Sequence, residues 1–313
     1  MAPLDAREVQ HKIRHHLRRL RNNPSGVFIL VLTTVILSIS FIYGCWQIFT
    51  LVGSGSSANS SGHRLAIIVP FRDRFDELLQ FVPHMIAFLA GQKVTFQIFV
   101  MNQVDDYRFN RASLINAGFS LVKDDFDYIA MHDVDLLPVN SALTYAFPAD
   151  GPMHIAAPEL HPQYHYEKFI GGILLMTSKH FEQVNGMPNK YWGWGMEDDA
   201  LYARLMDAGM NISRPVGITT GYETFKHIHS AVRRKRDMER VGDQSRSNRK
   251  KDRQSGLKDV RFDVMDKQKL TIDDKFECTV YNVKLHCDEA RTPWCRLSQA
   301  DAKAATPLSP SQT

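Results

Sequence analysis

Residues 27–52 read VFILVLTTVILSISFIYGCWQIFTLV, 26 positions in a row without a charge. A helix of roughly 20 such residues spans a bilayer, and little else can hide so long an apolar run. The apolar region of a cleaved signal peptide is about 7–15 residues; this run is longer and follows a basic leader of 26 residues, so it reads as an uncleaved signal anchor. The leader holds six Lys/Arg against Asp5 and Glu8, and residues 23–62 hold no charge at all. That asymmetry places the N-terminus in the cytosol and the rest of the chain across the membrane, a single-pass type II topology.

The formal net charge of +4 is a sum of unlike parts. Residues 1–62 carry a net +4 and residues 231–258, with eleven Lys/Arg against four acidic residues, a net +7, which leaves the remainder of the chain at −7. An acidic core excludes a nucleic-acid face across it, and a 44% hydrophobic composition excludes a disordered or collagenous chain. The expected organisation is a cytosolic tail (1–26), the anchor (27–52), a flexible Gly/Ser stem (53–63), a lumenal domain (64–298) and a disordered tail (299–313). The sequons at Asn59 and Asn211 agree with a secretory compartment. Of the four cysteines, Cys45 lies inside the anchor. Among Cys278, Cys287 and Cys295, the eight-residue spacing around Pro293 favours a Cys287–Cys295 disulfide, with Cys278–Cys287 as the alternative.

Within the domain, residues 65–70 and 94–101 are short β-branched apolar runs, and 127–131 is a third. Between them, residues 73–90 and 109–121 show helical spacing, the first interrupted at Pro83. Such a βαβαβ order predicts an α/β fold with a mostly parallel central sheet, whose ligands bind beyond the carboxyl ends of the strands. No glycine fingerprint or phosphate loop follows the first strand; Arg72 and Arg74 stand there instead, forked donors suited to phosphate.

Three clusters carry chemistry. Asp133-Val134-Asp135 follows the third strand, where carboxylates can hold a hard cation. In His227-Ile228-His229 an extended backbone turns both imidazoles to one side, and with Asp135 they would make a site suited to Mn²⁺ among other first-row ions. In Trp192-Gly193-Trp194-Gly195-Met196-Glu197-Asp198-Asp199, three adjacent carboxylates repel one another unless a cation, a substrate hydroxyl or a helix N-terminus relieves them. The tryptophans offer faces for sugar rings and the glycines permit close backbone approach.

Pro-Phe-Arg-x-Arg at 70–74, Phe-Asn-Arg-Ala at 109–112, Asp-Val-Asp-Leu-Leu-Pro at 133–138, Gly-Gly at 171–172 and the Trp-Gly-Trp-Gly stretch with its acidic triplet resemble, in order and spacing, the β-1,4-galactosyltransferase family. The resemblance covers about residues 64–298. His-x-His in place of Met-x-x-His, the basic run that follows it and Thr292-Pro293-Trp294-Cys295 are most similar to the branch that galactosylates xylose on proteoglycan cores. The resemblance implies a GT-A fold, UDP-galactose as donor, Mn²⁺ as cofactor, a Golgi-membrane location and inversion at the galactose anomeric carbon. It implies metal ligation by Asp135, His227 and His229, and donor binding by Pro70, Phe71, Arg72, Arg74, Phe109, Arg111, Val134, Asp135, Trp194 and Glu197. Asp198 would be the general base toward the xylose 4-hydroxyl, with Tyr164, Tyr166, Trp194 and Asp199 completing the acceptor side. Residues 230–257, lacking apolar periodicity, would be a mobile basic loop closing over the donor. The competing readings are a transferase acting on N-acetylglucosamine, using galactose or N-acetylgalactosamine, and a non-catalytic membrane-tethered lectin or heparin-binding protein.

Overall fold

The computed structural model describes residues 62–218, 223–230 and 232–297. The leader, the anchor, Cys45, Asn59, nearly all of the stem and the C-terminal tail lie outside the described residues. Among those described, no helix is long and apolar enough to cross a membrane.

The chain opens with β1 (Arg64–Phe71), α1 (Phe75–Ala90), β2 (Thr95–Gln103), α2 (Arg111–Val122) and β3 (Tyr128–His132). It continues through β4 (Leu136–Pro138), β5 (Met153–His154), β6 (Ile173–Thr177), α3 (Ser178–Gln183), α4 (Glu197–Asp207), β7 (Phe225–His227) and α5 (Gln244–Arg249). It closes with the hairpin strands β8 (Phe262–Ile272) and β9 (Phe276–Leu285) and a 3₁₀ turn at Pro293–Cys295. Seven strands form one sheet in the order β5-β6-β3-β1-β2-β9-β8. The four in the middle are parallel, while β6 pairs antiparallel to β3 and to β5, and β8 to β9.

The period of two along β1 divides the core. Leu65, Ile67, Val69 and Phe71 share one buried cluster with Leu78, Phe81, Met85 and Leu89 of α1; Ala66 and Ile68 share the other with Leu114, Ile115 and Phe119 of α2. Burying both faces of the sheet requires the continuous apolar runs that the sequence displays.

Two expectations need correction. Helix α1 runs straight through Pro83; a proline there forfeits one backbone bond and costs roughly 3 kcal/mol, which the burial of five large apolar side chains on that helix, at about 1.5–3 kcal/mol each, outweighs. The helix also begins two residues later than its spacing suggests, because Asp73 adopts a left-handed φ of 53°. The favoured Cys287–Cys295 disulfide is present, and the cysteine left over is Cys278, a buried free thiol in β9.

Candidate active site

At the carboxyl end of β3 the Asp133 amide donates to the Gly172 carbonyl at 2.9 Å, which turns the chain into β4. Strand β4 pairs antiparallel with β7, Leu136 opposite His227, and the Ile228 amide donates to the Asp135 carbonyl at 2.8 Å. This small two-stranded sheet brings together two clusters some ninety residues apart. His229 Nδ1 lies 3.3 Å from Asp135 Oδ2, and His227 Nε2 lies 3.8 Å from Asp135 Oδ1. Burial pushes the His227 imidazole below its ordinary value, which keeps it neutral with a lone pair free to ligate. Among the described residues no group of three or more His, Cys, Asp or Glu is arranged as a ready metal site; His227 and His229 both lie beside Asp135 without meeting that geometry.

The acidic triplet is the first turn of α4, where the helix dipole relieves part of its repulsion. The turn before it is left-handed, with Gly193 at φ 81°, Gly195 at 97° and Met196 at 83°. A Cβ on Gly193 would collide with the Arg108 guanidinium. This geometry separates the two tryptophans: Trp192 is buried in the core beside α2, and Trp194 stands 40% exposed in the cleft.

Arg111, the first residue of α2, bridges two of the carboxylates, with Nε 2.7 Å from Asp133 Oδ1 and Nη1 2.9 Å from Asp198 Oδ1. Burial would lower its pKa, but the charges of Asp133 and Asp198 outweigh that and raise it. Asp133 is pushed up to about 6, first by burial and then by the charges of Asp135 and Asp198, with Arg111 opposing. Glu197 is pushed up to about 8 by burial and by the Asp198 charge, and its Oε2 is buried without a hydrogen-bond partner. Burial and the neighbouring charge therefore favour the protonated form of Glu197, which can donate to a ligand oxygen.

Because the folded state raises this pKa above the ordinary 4.5, its contribution to stability is intact below that value and is lost as pH rises through about 8. Glu197→Gln removes the ionisation. Its melting temperature relative to the wild type should climb by on the order of 5 °C between pH 5 and pH 9 in thermal melts. A difference that stays constant across that range would remove the neutral-acid assignment.

The cleft over these groups has a volume of about 510 Å³. One wall is aromatic: Tyr164 and Phe169 rings lie 5.1 Å apart, with Tyr166 5.5 Å from Phe169. The basic segment covers the opposite side. Arg236 sits 4.9 Å over the Trp194 ring and 5.7 Å over that of Tyr164. Two forked arginine pairs hold the segment down, Arg234 on Glu77 and the buried Arg108 on Asp237. Its far half is anchored by buried polar side chains, Gln244 bonded to Arg108 and the Trp192 carbonyl and Ser255 to the Asn189 amide, which explains how a run without apolar periodicity packs.

Pro70, Arg72, Arg74, Phe109, Arg111, Val134, Asp135, Tyr164, Tyr166, Trp194, Glu197, Asp198, Asp199, His227 and His229 all line this one cleft. Phe71 does not; its side chain points with the odd-numbered residues of β1 into the core. Arg72 is committed to the chain itself, donating to the carbonyls of Gln103, Asp105 and Tyr107 at 3.3, 3.0 and 2.7 Å. Asn211 is exposed in the loop after α4. Sequence reasoning missed His161 and Phe169 as lining groups and gave Lys235 and Arg240 only as part of the basic segment; proximity in the fold reveals the first two, since neither stands in a motif of its own. A second cleft of about 490 Å³, bordered by Lys190, Arg261, His286 and Arg291, shares no lining residue with the first.

Residues 53–148 match the family model described as the N-terminal region of glycosyl transferase group 7, and residues 151–228 the one described as the N-terminal domain of galactosyltransferase. The chain is 53% identical over 248 residues to β-1,4-galactosyltransferase 7 of Drosophila melanogaster, covering 79% of this chain and 77% of the relative. It is 47% identical over 242 residues to the xylosylprotein 4-β-galactosyltransferase of Caenorhabditis elegans, covering 76% and 83%. A crystal structure of a mutant Drosophila β-1,4-galactosyltransferase 7 with manganese, UDP-Gal and xylobiose aligns at a TM-score of 0.74 and 53% identity, over 75% of this chain and 100% of that one.

Proposed function

This chain belongs to the β-1,4-galactosyltransferase family, and from that premise we propose that it transfers galactose from UDP-galactose to the 4-hydroxyl of β-xylose on proteoglycan core proteins. The observation that carries the reading is the convergence, in one cleft, of the Asp135–His227–His229 set, the Arg111-bridged carboxylates and an aromatic wall.

Asp198 is the general base. Arg111 holds its Oδ1, which leaves Oδ2 to take the proton from the xylose 4-hydroxyl as that oxygen attacks the galactose anomeric carbon and the bond to UDP breaks with inversion. Space for Oδ2 is secured by Gly171, where a Cβ would stand 2.6 Å from it. Glu197, as a neutral acid, donates to a donor-sugar hydroxyl, and Asp199 accepts from the acceptor. Trp194, Tyr164 and Tyr166 flank the sugars, while Arg74, Phe109 and Val134 line the donor side.

One carboxylate with two imidazoles suits Mn²⁺. Their separations of 3.3 and 3.8 Å exceed the roughly 3 Å between neighbouring ligands of one small divalent cation, so the side chains would draw together to hold it. Bound there, Mn²⁺ supplies positive charge for the departing diphosphate.

The uncharged run at 27–52 anchors the domain as a type II protein of the Golgi membrane, with residues 64–298 in the lumen. The Cys287–Cys295 disulfide supports an oxidising compartment. The deciding experiment is UDP-galactose turnover against β-xylosides and N-acetylglucosamine, with and without Mn²⁺. We expect turnover on xylosides alone and its loss on chelation; preference for N-acetylglucosamine sinks the assignment.

A further inference from the structure

We infer that His161 is a positioning residue that sets acceptor affinity by fixing the turn that carries Tyr164 into the cleft. The side chain is 2% exposed, and its Nδ1 lies 3.0 Å from the Gln163 amide nitrogen and 3.1 Å from that of Tyr164. An imidazole nitrogen that accepts from two N–H groups carries no proton, so the tautomer is fixed with hydrogen on Nε2. The local sequence makes this turn possible. Pro162 has no amide hydrogen and holds the residue before it extended, so the first amides that can fold back on His161 are those of residues 163 and 164.

The ring also packs edgewise on Phe169, 5.2 Å between centroids, and lies 4.9 Å from Tyr164 and 6.0 Å from His227. One buried imidazole thus stands between the Asp135–His227–His229 set and the aromatic wall. The Tyr164 hydroxyl is buried without a hydrogen bond of good geometry inside the protein. Its polar neighbour is the Arg236 guanidinium, and a ligand oxygen can add a bond of good geometry only while the turn beneath it keeps its place. The inference rests on the acceptor reading of Tyr164 given above.

Isosteres separate the two nitrogens. In His161→Asn the amide oxygen falls where Nδ1 stood and can cap the same two amides. In His161→Gln the amide nitrogen falls near Nε2 and leaves them uncapped, and His161→Phe keeps the ring but neither nitrogen. We expect Asn to hold the xyloside KM within about threefold of wild type, whereas Gln and Phe raise it about tenfold or more, the loss expected for a buried hydrogen-bonded turn. Turnover at saturating acceptor, and UDP affinity measured by calorimetry with Mn²⁺ present, should stay near wild type in all three.

A wild-type KM in Gln overturns the inference, as does an equal rise in all three that tracks a loss of melting temperature. Weakened UDP binding overturns it too, since the ring would then be acting through His227. If Phe fails to fold, the Asn and Gln pair decides. A wild-type enzyme inert toward xylosides would instead refute the proposed function itself.

Discussion

Asp198→Asn should lower turnover about a thousandfold while leaving the UDP affinity and the acceptor KM nearly unchanged. The amide keeps an oxygen for Arg111, which sits 2.9 Å from Asp198 Oδ1, so the local geometry survives the substitution. What disappears is the basic oxygen that takes the proton. Positioned proton transfer contributes typically 10²–10⁴ to rate, and an interaction made only in the transition state appears in kcat rather than in KM. Steady-state kinetics on a β-xyloside, with calorimetry of UDP binding, separates the two. Turnover within tenfold of wild type would take the proton-accepting role away from Asp198.

The largest stability effect is expected at Arg111. Its guanidinium side chain is 14% exposed and holds Asp133 and Asp198, which are 35% and 22% exposed. Removing one partner of a buried ion pair costs about 3–5 kcal/mol; with this much solvent at the carboxylates, about 2–3 kcal/mol is the appropriate figure. Arg111→Leu should therefore melt roughly 5–10 °C below wild type at pH 7.5. Asp133 is already pushed up to about 6 with Arg111 in place, and without it rises further. The folded state then favours the protonated form, so the deficit should grow as pH rises above 6 and level off below it. Arg111→Lys restores one charge but cannot bridge two carboxylates and should fall between. A Leu variant as stable as wild type at pH 7.5 would mean that the bridge contributes nothing to the fold.

How much of this was legible in the chain depended on distance along it. Strands β1 and β3 and the latter part of β2 are buried on both faces, so their apolar runs announce them, and the DxD at the end of β3 locates the cleft. The β8–β9 hairpin announces nothing. Strand β8 is exposed along most of its length, and its turn uses Asp273 and Asp274, both at φ 51°, where a sequence reader looks for glycine. Charge types were readable, but their partners were not. Arg72 and Arg111 both invite a phosphate, yet one is committed to backbone carbonyls and the other to carboxylates. The pairing of Leu136 with His227 is a contact between distant segments that no local pattern encodes, and the cap on His161 Nδ1 required coordinates to see.

The buried guanidinium of Arg108 also meets the end of the domain. Besides gripping Asp237, it donates to the Trp294 carbonyl at 3.1 Å, and its own amide donates to the Cys295 carbonyl at 2.8 Å. The cover of the cleft and the disulfide-bearing C-terminal turn therefore draw on the same residue. Damage to that turn would not stay local: chains truncated or misoxidised there would present as enzymes with a poorly closed cleft, so a lesion remote from the chemistry would be mistaken for a substrate-binding defect.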